Sequence, residues 1–127
     1  MVPLKLSLAS FLLLSPWLAA GELPRLEIKN ELQQCIAIND RAVIDIREIP
    51  ILKMKIKILS ETGSCGCKSA LAKYNVYQMM AGYEAWVMSG EFTPVGREEL
   101  QLPIAAQIQV IEYAKKIKIT ISCASLS

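Results

Sequence analysis

The chain of 127 residues carries 14 lysines and arginines against 12 aspartates and glutamates, and not one histidine. The missing imidazole excludes Ser-His-Asp and Cys-His catalysis, histidine-containing zinc sites and the usual general base near neutral pH. A formal net charge of only +2 argues against a nucleic-acid partner, which needs a clustered basic surface.

Residues 4–20, LKLSLASFLLLSPWLAA, hold one charge at Lys5, an apolar run around Phe11 to Leu14, a helix-breaking Pro16 and then small residues. That order reads as a secretory signal peptide over 1–21, cleaved after Gly21 with Ala19 at the other checked position; cleavage after Ala20 is the alternative. The run is short of the roughly 20 residues a spanning helix needs, so no stable membrane anchor is expected after cleavage. The expected mature protein is a single domain over 22–127, 106 residues long, periplasmic or secreted. A domain that small often adds covalent staples, and its four cysteines in an oxidising compartment meet that need.

Along the mature chain, QQCIAIN (33–39) and AVIDIREI (42–49) read as two short strands separated by a turn at Asn39-Asp40. Pro50 withholds a backbone donor, so a bend or a change of sheet is expected there. ILKMKIKIL (51–59) carries the clearest pattern: Leu52, Met54, Ile56 and Ile58 alternate with Lys53, Lys55 and Lys57. Alternation with a period of two puts the lysines in water and the apolar groups in a core, and winding the same residues as a helix leaves no apolar stripe. The lysine row is a possible anion-binding surface; more commonly such a row is a solvated face that discourages edge aggregation.

CKSALAKYNVYQMMAG (67–82) is ambiguous. As a strand it groups Ala70, Ala72, Tyr74, Val76 and Met80; as a helix it opens at Ser69 and closes at Gly82 with good capping chemistry. The strand is preferred because Tyr-Asn-Val-Tyr suits a pleated surface. AWVMSGEF (85–92) groups Trp86, Met88 and Phe92 on one parity, which reads Trp86 as core, and EELQLPI (98–104) groups Leu100, Leu102 and Ile104. AAQIQVIEY (105–113) reads as a weaker strand turning at Ala114-Lys115 onto KIKITISC (116–123), where Ile117, Ile119, Ile121 and Cys123 share a face. Six to eight short strands with regular turns predict a mostly β fold, a small antiparallel immunoglobulin-like β-sandwich stapled by disulfides. The alternative is an α+β fold with one helix at about 68–81 on a sheet.

The cysteines are the main candidate site. On a strand, Cys65 and Cys67 face one side about 6 to 7 Å apart, too far for a relaxed bridge to each other. The simplest framework bonds them one each to Cys35 and Cys123, in either order, each bridge contributing about 3 to 4 kcal/mol in the chain-entropy treatment. Two sharper readings remain. In one, Cys35 pairs with Cys123, and Cys65-Gly66-Cys67 closes as a labile thiol-exchange ring. In the other, reduced Cys65 and Cys67 bind copper with help from Met54, Met79, Met80 or Met88, although none of these lies in an M-x-M or M-x-x-M array.

A signal peptide, an upstream cysteine, GSCGCKSA (63–70), a tyrosine strand at Tyr74, the Ser89-Gly90-Glu91-Phe92 run, Leu102-Pro103-Ile104-Ala105 and a terminal Ile121-Ser122-Cys123-Ala124 together resemble a family of short exported bacterial proteins, domain of unknown function 2195. The resemblance spans most of the mature chain, with CGCKSA its most specific element. It implies a proteobacterial periplasmic protein and carries no activity, so no functional residue transfers. The expectation is therefore a non-enzymatic binding or structural domain of the cell envelope, with an envelope or periplasmic protein as partner and with no catalytic residues, metal or cofactor. The surfaces to mutate are Lys53, Lys55 and Lys57 together with Tyr74, Tyr77, Tyr83 and Trp86. The alternative function is thiol-redox or copper handling at Cys65 and Cys67.

Overall fold

A computed structural model describes residues 25–95 and 97–125, with Arg97 and Glu98 described by their backbone only. The expected signal peptide at 1–21 lies outside the described residues. Seven strands follow in order: β1 (Arg25–Asn30), β2 (Ile36–Ile46), β3 (Ile49–Ile58), β4 (Ala72–Met80), β5 (Tyr83–Phe92), β6 (Arg97–Pro103) and β7 (Lys116–Cys123). They form a four-stranded sheet in the order β1-β7-β4-β5 and a three-stranded sheet in the order β2-β3-β6. β1 runs parallel to β7, and every other pairing is antiparallel.

The fold is the mostly β, disulfide-stapled sandwich that the alternation predicts, with no α-helix among the described residues. The segment around 68–81 resolves as strand β4, with Ala72, Tyr74 and Val76 buried. The division of seven strands into four and three is that of an immunoglobulin constant domain, whose first sheet runs A-B-E-D. Here the last strand takes the place beside β1, so the connectivity is the chain's own.

The core forms where the inward parities of the two sheets meet. Leu52, Met54 and Ile56 of β3 and Ile117, Ile119 and Ile121 of β7 are all 5% exposed or less, as their spacing requires. Alternation on β3 lapses only at Ile58, which lies at the sandwich end and is 38% exposed. Tyr74 joins the sheets: its ring packs in the core, and its hydroxyl donates to the Pro103 carbonyl oxygen at 2.8 Å. The ring needs room, and Gly90 of β5 supplies it, since a Cβ there would come within 2.6 Å of the Tyr74 ring.

The first crossing between the sheets, from β1 to β2, turns at Asn30. Its Oδ1 accepts from the Leu32 amide at 2.9 Å, and its Nδ2 donates to the Ile36 carbonyl at 2.8 Å, which turns the backbone from β1 into β2. Residues 33–49 differ from the expected pair of strands. Asn39-Asp40 does not end a strand; it makes a bulge in one long strand, with Asp40 at φ 52° and the register shifting between Asn39 and Ala42. The reversal comes instead at Arg47-Glu48, both at positive φ, where the Glu48 amide donates to Asp45 Oδ1 at 2.7 Å. Pro50 lies inside β3, buried opposite Asp45, and its carbonyl accepts from the Ile104 amide at 3.0 Å.

Residues 105–113 are not a strand. The segment carries one 3-10 turn at Ile108–Val110 and spans the end of the sandwich, its Ile108 amide bonded to the Glu48 carbonyl and the Lys115 amide to the Met79 carbonyl. The reason lies in the buried positions in and beside it, Ile104, Ala105, Ile111 and Ala114, whose spacing does not follow the period of two that a sheet needs.

Candidate functional site

The GSCGCKSA segment folds into a pinned loop. Thr62–Cys65 make a 3-10 turn, closed by Gly66 in the left-handed region at φ 91°. Positive φ is where a residue without a Cβ belongs, and that reversal aims the flanking cysteines at different partners. Cys65 bonds Cys35, at the entrance to β2, with Cα atoms 6.3 Å apart; Cys67 bonds Cys123, at the end of β7, with Cα atoms 5.2 Å apart. One short loop is thereby tied covalently to both sheets.

The pairing is one of the two orders left open by the sequence, although the geometry behind it differs. Cys65 and Cys67 are on a turn and not on a strand. Each sulfur is committed elsewhere, so the Cys65-Gly66-Cys67 ring does not form, and no pair of thiolates stands there for copper. Backbone bonds reinforce the clamp: the Leu59 amide donates to the Cys35 carbonyl at 2.8 Å, Cys67 to Thr62 at 3.2 Å, and Ala124 to Leu71 at 3.1 Å. Cys35 Sγ lies 3.2 Å from the Glu61 carbonyl oxygen, a contact only, because a disulfide sulfur carries no proton.

Beside this loop opens a cleft of about 500 Å³, within the roughly 300–1,000 Å³ typical of ligand sites. Its walls are the end of β3 at Ile58, the pinned loop at 60–63 and 67–70, and Thr93, Pro94 and Val95 of the link between β5 and β6. Ile58 and Val95 are 38% and 43% exposed, which leaves an apolar lip at the mouth. Hydroxyls from Ser60, Thr62, Ser69 and Thr93 and one charge of each sign, Glu61 and Lys68, complete the lining. Such a lining can hold an apolar group and hydrogen-bond to the polar backbone beside it.

The lysine row lies away from the cleft walls, on the outer face of β3. Lys53 pairs with Glu99 at 3.6 Å, and Lys55 with Asp40 at 3.2 Å; Lys57 is exposed beside them. The four aromatics divide. Tyr74 is in the core, Tyr77 is half-buried on the outer face of the four-stranded sheet, and Tyr83 and Trp86 are each 62% exposed. The reading of Trp86 as core is corrected by a bulge: Val76 faces Met88 and Tyr77 faces Trp86, so Val87 is the extra residue. One extra residue moves Trp86 from the inward to the outward parity, while Met88 and Phe92 keep theirs.

The cleft was not visible in the sequence, because Ile58, the 60–70 loop and residues 93–95 meet only in three dimensions. The CGC spacing marked one of its walls.

Two disulfides fit an oxidising compartment, and among the described residues no helix is long and apolar enough to cross a membrane. No curated protein and no solved structure matches the chain. A family model described as "Uncharacterized protein conserved in bacteria (DUF2195)" matches residues 9–126, and the chain belongs to that bacterial family.

Proposed function

We propose that the protein is a non-enzymatic binding domain of the bacterial periplasm, and that the cleft beside the Cys65-Gly66-Cys67 loop receives a short extended segment of an envelope protein. The observation that carries this reading is the clamp itself. Two bridges and three backbone bonds hold a surface loop that would otherwise be mobile, and the cleft opens against that loop. A site held rigid before its ligand arrives avoids the ordering cost of binding. Ile58, Pro94 and Val95 suit one apolar side chain of the ligand, and the hydroxyls with Glu61 and Lys68 suit its backbone. A catalytic role receives no support from the lining, which offers one carboxylate and one ammonium.

The test is selection of peptides from a random library displayed on phage against the oxidised protein, followed by titration of the selected peptides. Ala70→Trp, at an exposed wall position, fills the cleft without touching the core. Binding that is lost in Ala70→Trp and kept in Lys53→Ala supports the cleft. Peptides that bind both variants equally, or no selection above background, would remove it.

A further inference from the structure

The outer face of the four-stranded sheet carries a second built feature, remote from the cleft walls. Trp86 is the largest side chain of the described residues and is 62% exposed, yet its indole is not loose. The ring N–H donates to Ser89 Oγ at 2.9 Å, and the Ser89 hydroxyl in turn donates to Asn75 Oδ1 on the neighbouring strand. The ring is tied by its N–H edge to a residue farther along its own strand, while most of its surface is presented to solvent. Fixing the plane before any ligand arrives removes the rotamer cost of stacking on it.

Directly across the ladder is Tyr77, whose ring is capped by Lys118 Nζ at 5.6 Å from its centroid. That ammonium is itself paired with Glu84 at 3.0 Å. Of this cross-strand pair, Trp86 presents the open aromatic ring, and polar groups flank it on both sides: Asn75 and Ser89 on one, Glu84 and Lys118 on the other. Asn75, with its Oδ1 taken, is left with its amide nitrogen to donate.

The charges at this patch decide the ligand class. Glu84 and Lys118 neutralise one another, and the nearby Lys116 is paired with Glu27 at 2.7 Å, so an ionic ligand would have to break a pair to gain one. A neutral polyol does not. Vicinal hydroxyls can donate to a carboxylate and accept from an ammonium without separating them, while the axial C–H face of a pyranose ring stacks on an indole. We propose that Trp86, flanked by Asn75, Ser89, Glu84 and Lys118, is a binding site for one pyranose ring of a neutral polysaccharide. The site is independent of the cleft, so either can fail without the other.

The chain over 25–125 holds a single tryptophan, so its fluorescence reports the site directly. The purified oxidised protein is titrated with cellohexaose and with chitohexaose up to about 10 mM, a concentration that reveals sites as weak as a millimolar Kd. The expected result is a saturable change in emission with at least one of the two sugars. Binding measured by calorimetry should weaken about tenfold or more in Trp86→Ala and less in Ser89→Ala, which frees the indole without removing it. Both positions face solvent or the sheet surface, and circular dichroism verifies that each variant is folded. No saturable change with either sugar overturns the proposal, as does sugar binding that survives Trp86→Ala. Loss in Trp86→Ala of a peptide selected against the protein, with no response to sugar, would reassign the patch to a protein partner and likewise overturn it.

Discussion

Replacing Cys67 and Cys123 by alanine removes the bridge between the pinned loop and the end of β7. The two residues lie 56 apart in sequence, and closing a loop of that length restrains the unfolded chain by about 4.2 kcal/mol at 25 °C in the chain-entropy treatment. Both cysteines are half-buried, so the alanines leave little cavity, and the entropy should account for most of the loss. The Cys35–Cys65 bridge spans 30 residues, and the same treatment gives about 3.7 kcal/mol. Cys35, however, is completely buried, so its truncation adds a packing loss, and the two double variants should be destabilised about equally. The loops follow one another along the chain without overlapping, so losing both bridges should cost about 8 kcal/mol, comparable to the whole stability of a domain this size. Urea unfolding followed by circular dichroism measures each variant, with Tm falling by about 15–30 °C for either double variant. A loss below about 1 kcal/mol in Cys67→Ala/Cys123→Ala would refute the claim that the bridge restrains the fold.

Other substitutions test the packing and the electrostatics. Gly90→Ala drives a methyl group against the Tyr74 ring and should cost about 1–3 kcal/mol in urea unfolding. Tyr74→Phe loses the hydroxyl bond to Pro103 that links the sheets, and with it about 1 kcal/mol or somewhat more, since the Pro103 carbonyl loses its partner. Arg47→Asn with Glu48→Gly relieves two left-handed side chains in a two-residue hairpin and should raise stability by about 1 kcal/mol; an unchanged or lower midpoint would count against the turn geometry. The Lys116 ammonium, bonded to Glu27, holds that carboxyl below the usual glutamate range. A carboxylate whose folded-state pKa is depressed adds stability above its unfolded pKa and loses it as pH falls through the folded value. Glu27→Gln should therefore flatten the pH dependence of stability on the acid side, below the ordinary glutamate pKa. Because the pair is exposed, added salt at neutral pH should shrink the difference between variant and parent.

The parts of this fold that a sequence reveals are those governed by a strict period of two. Leu52, Met54 and Ile56, and likewise Ile117, Ile119 and Ile121, alternate with polar residues and are buried as that alternation requires. The same parity turns Cys123 toward the core side, where Cys67 meets it. The pattern misleads wherever one residue breaks the period. The bulge at Val87 turned Trp86 from core to surface, and the bulge at Asp40 kept β2 continuous where turn-forming residues suggested a break. Arg47-Glu48 makes the hairpin without the glycine or asparagine that marks such turns, so Pro50 drew the bend to itself. Residues 105–113 contain alternating apolar side chains, yet only Ala105 and Ile111 among them are buried, and the Ile108 amide bonds the Glu48 carbonyl of the distant β2–β3 turn. The cleft is least legible of all, because three separate segments build it and only the CGC spacing carried a signal.

The clamp and the cleft both depend on cysteine connectivity, and peptide mapping reads it directly. Trypsin digestion of the non-reduced protein leaves residues 58–68, with Cys65 and Cys67 together, joined to the peptides that carry Cys35 and Cys123. Fragmentation at Gly66 in the mass spectrometer separates the two. Cys35 should remain attached to the Cys65 half and Cys123 to the Cys67 half. Exchange of those partners, or a bond between Cys65 and Cys67, would contradict the clamp.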